Sequence, residues 1–274
     1  MGKRRFIQFV SAILYNANFT GFARGTIHTG RTKSVCVPGL NCHSCPGAIG
    51  ACPLGSLQTA LGDIRTKLPF YILGTLLLFG VLLGRAICAF LCPIGLVQDM
   101  LDKIPSPKLK KSKITYYLSF CKYAILFIFV IYLPLHFLWT NGFSSPAFCK
   151  YLCPAGTLQA GIPLVLASEN LRSITGALFQ WRLVWLGIIL LASVFIFRPF
   201  CRFLCPLGAI YSLFNKYALF GIKVNQHRCT GCRACVNSCK LDVHQINDRE
   251  CIRCGDCRPV CTHNAIVYKR KDAI

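Results

Sequence analysis

Eight cysteines near the C-terminus limit what this chain can become more than any other feature. They fall in two matched runs, Cys229-x2-Cys232-x2-Cys235-x3-Cys239 and Cys251-x2-Cys254-x2-Cys257-x3-Cys261. Three thiolates at intervals of three let a tight loop wrap one face of a cubane, and the fourth, starting a helix, reaches a second cubane. This is the ligand spacing of a bacterial-type ferredoxin with two [4Fe–4S] clusters. It assigns Cys229, Cys232, Cys235 and Cys261 to one cluster, and Cys251, Cys254, Cys257 and Cys239 to the other. Lys240 and Thr262 replace the proline that usually follows the fourth cysteine, which alters the helix start and removes no ligand. Zinc also takes C-x2-C pairs, but two sets of four with the same 2-2-3 spacing argue against it. The motif crowds its cysteines too closely for a disulfide framework.

The rest of the chain is apolar: 54% of the 274 residues are hydrophobic, too many for an ordinary soluble domain. Three stretches read as membrane spans, Leu68–Leu83, Tyr116–Trp139 and Trp181–Phe197, and a fourth, Phe6–Phe22, is interrupted by polar residues. The expected fold is therefore mainly α and integral to a membrane. It has about four transmembrane helices in two parallel repeats, short helices started by Cys-Pro, and a C-terminal α+β bacterial-type ferredoxin domain. The expected boundaries are 1–220 for the membrane domain (halves of about 1–113 and 114–220) and 221–274 for the ferredoxin.

The formal charge is +22, from 31 Lys and Arg against 9 Asp and Glu. Nucleic acid is not the expected partner, because much of this charge flanks apolar stretches. Lys3, Arg4 and Arg5 precede the first span, and Lys103, Lys108, Lys110, Lys111 and Lys113 follow the second. The positive-inside rule then puts both termini and the ferredoxin domain in the cytoplasm, with the chain multi-pass in the cytoplasmic membrane and lipid as its surroundings. Arg24, Arg31, Lys33, Arg65 and Lys67 in the long first loop blur that contrast. A basic exterior suits an acidic cytoplasmic donor such as a small ferredoxin or flavodoxin. The basic start Lys3-Arg4-Arg5 leads into a stretch broken by Gln8, Ser11 and Asn16, so no cleavable signal peptide is expected. Many thiols imply a reducing, anaerobic setting. No Gly-rich nucleotide loop, Ser/His/Asp set or catalytic carboxylate pair is present in the sequence, so catalysis by this chain alone is not expected.

The apolar part repeats. CPLGSLQ (Cys52–Gln58), CPIGLVQ (Cys92–Gln98), CPAGTLQ (Cys153–Gln159) and CPLGAIY (Cys205–Tyr211) share one template, and Arg85-x2-Cys88-x-Phe90-Leu91-Cys92-Pro93 matches Arg198-x2-Cys201-x-Phe203-Leu204-Cys205-Pro206. This is a parallel repeat about an axis along the membrane normal. Proline fits the first helical turn, so each cysteine before it sits at a helix N-terminus, where free N–H groups and the dipole favour an anionic centre. Cys88/Cys92 and Cys201/Cys205, four apart, are expected on one helical face. Topology places these four at the cytoplasmic end, where they suit a third cluster. At the opposite face Cys45, Cys52, Cys149 and Cys153 suit a fourth, with Cys36 and Cys42 as substitutes or, with Cys45 and Cys52, as a self-contained site. Cys121, alone in its span, reads as a small buried hydrophobe. Arg85 and Arg198 read either as charges near a cluster or as snorkelling anchors, and His136 as an interface residue beside Trp139.

These motifs resemble membrane-bound polyferredoxins of the NapH type, associated with periplasmic nitrate reductase and methylamine utilisation. In that family C-x3-C-P motifs follow spans two and four and a double [4Fe–4S] ferredoxin ends the chain. Here the matching positions are Cys88/Cys92-Pro93, Cys201/Cys205-Pro206 and the two C-terminal runs, so the resemblance covers most of residues 68–274. It implies electron transfer between a quinone pool or soluble carrier and a partner redox subunit. The Cys36–Cys52 set and Cys149/Cys153-Pro154 depart from the family, and they suggest a relay reaching the far membrane face, to a quinone or to a flavin- or haem-bearing protein. The alternative is an accessory protein for metal-centre maturation or disulfide reduction, with Cys36 and Cys42 as the exchanging pair.

Overall fold

The structure is a computed structural model that describes residues 3–61, 69–109 and 111–268. The expected span start at Leu68, and Arg65, Lys67 and Lys110 of the basic loops, lie outside the described residues. Helices dominate, as expected; among the described residues two of them, Lys113–Asn141 and Ala177–Phe195, are long and apolar enough to cross a membrane, where four spans were expected. Only 22% and 17% of their most apolar stretches are buried. The core helix of a soluble protein would be mostly buried; these turn Phe127, Ile128, Ile131, Val184, Ile188 and Leu191 outward.

The other two expected spans fall short for local reasons. Phe70–Leu83 has 14 residues, about 21 Å of helix against a hydrocarbon core of about 30 Å. It ends at Gly84 in a positive-φ conformation (φ +54), close against Asn215. The first stretch is two helices, Lys3–Tyr15 and Phe19–Arg24. Between them Asn16 donates to the Ala12 carbonyl and to Asn41, and Asn18 to the Pro46 carbonyl, so side chains rather than helix satisfy the backbone. The helix Lys3–Tyr15 is inverted relative to a soluble one. Gln8 and Ser11 are its buried residues, whereas Phe6, Phe9 and Leu14 face outward. Gln8 donates to the Cys92 carbonyl at 2.8 Å.

The Cys-Pro segments start helices as the sequence suggests. Pro53–Leu61, Pro93–Leu101 and Pro206–Phe214 each begin at the proline, with Cys92 and Cys205 in extended cap conformations. Paired cysteines therefore do not share one helical face. Cys88 belongs to the helix Ala86–Phe90 and Cys92 caps the next. In the second half the turn between partners is widened: the Cys153 and Cys205 amides donate to the carbonyls five residues back, of Phe148 and Phe200. Wide turns of this kind are frequent at functional sites.

The C-terminal part carries the helix Ala234–Asn237 and an antiparallel pair, β1 (Ile222–Val224) and β2 (Ile266–Tyr268), with Lys223 opposite Val267. Its Leu241, Val243 and Ile252 belong to the same hydrophobic core as Cys88, Cys92, Cys201 and Cys205. Buried ion pairs cross the junction. Glu250 meets Arg85 at 2.8 Å and Lys122 at 2.5 Å, and Asp242 meets Arg202.

Candidate iron–sulfur centres

None of the 19 cysteines is paired in a disulfide. In the tail, Cys229, Cys232, Cys235 and Cys261 line a cavity of about 680 Å³. Cys239, Cys251, Cys254 and Cys257 line a second of about 110 Å³, with Cys235 on the wall of both. The fold thus brings the four cysteines of each expected set around one cavity. Gly231 and Arg233 in the first loop, and Arg253 and Gly255 in the second, hold positive φ at matching positions. Such turns point successive amides inward and make an anion-binding concavity. The exposed Cys232 thiol is lowered by the Ala234 amide and the Thr230 hydroxyl, whereas burial pushes Cys254 and Cys257 up to about 12.

Cys88, Cys92, Cys201 and Cys205 are all buried and lie within one another's electrostatic field. The two halves hold them reciprocally: Arg198 donates to the Cys88 carbonyl at 2.7 Å and Arg85 to the Cys201 carbonyl at 3.4 Å. Both arginines are 1% exposed, Arg198 forked onto Asp99 and Arg85 paired with Glu250, so neither snorkels. Gln98 donates to Cys201 Sγ at 3.1 Å and Gly208 N to Cys205 Sγ at 3.4 Å. The Leu40 amide reaches the Cys92 sulfur.

A second membrane-part set surrounds a cavity of about 370 Å³, lined by Cys42, Cys52, Cys149 and Cys153 together with His43 and Arg182. Cys42 stands here in place of Cys45, which does not line the cavity. The Cys45 amide closes a turn onto the Cys42 carbonyl, and its sulfur takes the Gly47 and Ala48 amides instead. Cys36 lies off the cavity against Ser56, so the pair expected to exchange disulfides faces different surroundings. Gln58 donates to Cys149 Sγ at 3.4 Å, and the Asn41 amide reaches the Cys52 sulfur. The two sets, expected at opposite membrane faces, lie near each other in the fold: Leu40 and Asn41 line the second cavity, and the preceding Gly39 packs against Cys92. The loop through residues 36–52 folds inward onto Leu91 and Cys92 rather than staying at the surface. Cys121 sits in the Lys113–Asn141 helix and His136 in a shallow outward-facing hollow with Trp139.

The donors fit an iron–sulfur cluster. Burial pushes Cys42 and Cys92 up to about 11 and Cys149 up to about 12, so these thiols ionise when metal arrives. Among the described residues no three His, Cys, Asp or Glu side chains converge on a point fit for one metal ion. A cubane instead gives each thiolate its own iron, and asks for sulfurs spread around a space. The glutamine at the seventh position of the repeat was missed by sequence reasoning, although the repeat itself displays it.

A family model described as a 4Fe-4S binding domain matches residues 68–112, 123–166 and 178–225, the Cys-Pro repeats rather than the tail. An uncharacterized protein of Methanocaldococcus jannaschii is 27% identical over 215 residues, 77% of this chain and 81% of its own. YccM of Escherichia coli, named for electron transport, is 23% identical over 234 residues, 79% of this chain and 62% of its own. The methylamine utilization ferredoxin-type protein MauN of Methylobacillus flagellatus is 29% identical over 176 residues, 61% of this chain and 50% of its own. The chain thus spans only part of the two named relatives. No solved structure matches it.

Proposed function

The chain belongs to the 4Fe-4S binding domain family, and from that premise we propose that it is a membrane-bound electron-transfer subunit whose ferredoxin tail is docked on a buried thiol centre. Its cofactors are [4Fe–4S] clusters, and electron transfer is what such clusters supply: each stores and releases one electron without bond making. The tail sets Cys229/Cys232/Cys235/Cys261 and Cys251/Cys254/Cys257/Cys239 hold two of them, and Cys88, Cys92, Cys201 and Cys205 a third.

One observation carries the reading. Asn215 joins the tail to the buried centre: its amide donates to the Cys251 carbonyl at 2.8 Å, and its carbonyl accepts from Arg85 N at 3.1 Å. Arg85 in turn donates to the Cys201 carbonyl. Two residues, Asn215 and Arg85, thus link the backbone at a tail cysteine to the backbone at a quartet cysteine, which supports the relay. The outward apolar faces support residence in a membrane, and the basic loops support cytoplasmic termini. The donor fitting the basic surface is an acidic ferredoxin or flavodoxin; the acceptor is a quinone or a flavin- or haem-bearing subunit, as in the NapH-type systems the motifs resemble. The maturation reading draws no support from Cys36 and Cys42.

The test is freeze-quench EPR after mixing anaerobic protein with a reduced low-potential ferredoxin. Signals beyond those of the tail pair are expected in the unaltered chain, and their loss in Cys201→Ala with the tail signals kept. If the unaltered chain shows the tail signals alone, the relay reading fails.

A further inference from the structure

We propose that Cys42, Cys52, Cys149 and Cys153 hold a fourth [4Fe–4S] cluster, and that the loop through Gly39, Leu40 and Asn41 couples it to the centre at Cys88, Cys92, Cys201 and Cys205. The purpose of this coupling rests on the relay reading; the site itself does not.

The halves build their sites from equivalent parts. Gln98 accepts from Phe200 N at 3.2 Å and donates to Cys201 Sγ, while Gln58 accepts from Phe148 N at 3.0 Å and donates to Cys149 Sγ. Each site joins a Cys-Pro-x-Gly-x-x-Gln segment of the first half to a Phe-Cys-x3-Cys-Pro segment of the second. One ligand breaks the match. Cys88, Cys149 and Cys201 each precede their partner by four, whereas Ala48 stands four before Cys52. Cys42 makes up the loss. Its amide donates to Gln159 Oε1 at 2.7 Å, and the neighbouring Asn41 side chain accepts from Gln159 Nε2 at 3.1 Å. Gln159 closes the third copy of the template, so the repeat itself fixes the substitute ligand. A Cβ on Gly156 would come within 2.8 Å of Arg182 Nη2, so glycine there leaves room for the guanidinium at the cavity wall. Arg182 lines the same wall and puts a cation beside an anionic cluster.

The bridge is one residue long. Gly39 packs against Cys92 Cα, and the adjacent Leu40 and Asn41 line the second cavity beside Cys52. Gly39 lets the loop lie this close, because a Cβ there would come within 3.0 Å of the Leu91 carbonyl and 3.2 Å of Cys92 Cα. Tyr211, which replaces glutamine in the fourth copy, clamps the loop by donating to the Pro38 carbonyl at 2.9 Å. Across this path the electron lost by one centre is gained by the other; no bond breaks and no proton moves.

Iron and sulfide analysis of the anaerobically purified full chain, with EPR after dithionite reduction, tests both claims. About sixteen iron per chain are expected in the unaltered protein and in Cys45→Ala, four per cubane. Cys42→Ala is expected to lose up to four iron or to show a three-iron EPR signal, with the tail signals unchanged. Fully reduced protein should show spin–spin broadening beyond that left in Cys42→Ala, which keeps the tail clusters and the quartet. About twelve iron in the unaltered chain, or loss in Cys45→Ala but not in Cys42→Ala, overturns the site. Sixteen iron with the same broadening in the unaltered chain and in Cys42→Ala overturns the coupling. About eight iron, tail clusters only, overturns the buried centre of the relay reading as well.

Discussion

At the scale of single residues, one glutamine serves each buried quartet. Gln98 holds the Phe200 amide with its carbonyl and aims its N–H at Cys201 Sγ, and Gln58 repeats this at Phe148 and Cys149. A hydrogen bond to a ligand sulfur favours the more negative, reduced cluster and so raises its potential. Gln98→Glu keeps the acceptor for Phe200 N and replaces the donor by a negative charge. A redox titration followed by EPR should show the quartet's midpoint fall by on the order of 40 mV or more, the equivalent of about 1 kcal/mol of lost hydrogen bonding, with iron content unchanged. An unmoved midpoint would remove the tuning role. The glutamines were legible in the repeat, since three of its four copies end in one. The choice of Cys42 over Cys45 was not. Both lie within ten residues of Cys52, and the turn that sends the Cys45 sulfur to the Gly47 and Ala48 amides depends on tertiary contacts of Asn41 with Asn16 and Gln159.

At the scale of elements, the Cys-Pro starts were readable because proline at the first turn is a local signal. The spans were less so. Hydropathy reports apolar faces and not helix length, and the Asn16–Asn18 break divides the first of the four into two short helices. Side-chain packing around the short helices sets them apart in a way the template hides. Gly95 and Gly208 occupy the same position of the repeat, yet a Cβ on Gly95 would come within 2.9 Å of both the Cys88 carbonyl and Gln8 Nε2, while one on Gly208 meets nothing closer than the Cys201 carbonyl at 3.4 Å. Gly95→Ala is therefore expected to strain the buried quartet by about 1–3 kcal/mol, and Gly208→Ala to be nearly silent. Thermal bleaching of the cluster absorbance distinguishes them: an earlier transition for Gly95→Ala alone is the expected result, and equal behaviour contradicts the packing argument.

At the scale of the whole molecule, scarce acidic residues fasten the tail to the membrane part. Of the nine, Glu250 pairs with Arg85 and Lys122, Asp242 with Arg202, and Asp102 with Lys240 across the junction. Burial alone would raise the Glu250 carboxyl, but Arg85 and Lys122 outweigh it and hold the group below its ordinary 4.5. A carboxylate depressed in the folded state contributes its full stabilisation above the ordinary range and loses it as pH falls through the depressed value. The carboxylate's contribution to docking should therefore be lost as pH falls below the usual carboxylate range. Added salt should do little, because buried pairs are weakly screened. Glu250→Gln leaves two buried cations without their counter-charge, at a cost of about 3–5 kcal/mol. Trypsin cutting at the exposed segment around Lys216 and Tyr217 reads the docked state. Faster cleavage in Glu250→Gln at neutral pH, with the tail fragment still carrying its two clusters, is the expected outcome, together with slowed reduction of the buried centre by the tail. Cleavage and inter-centre reduction both at the unaltered rate would mean that the hydrophobic contacts of Leu241, Val243 and Ile252 hold the tail by themselves and that the ion pairs are dispensable.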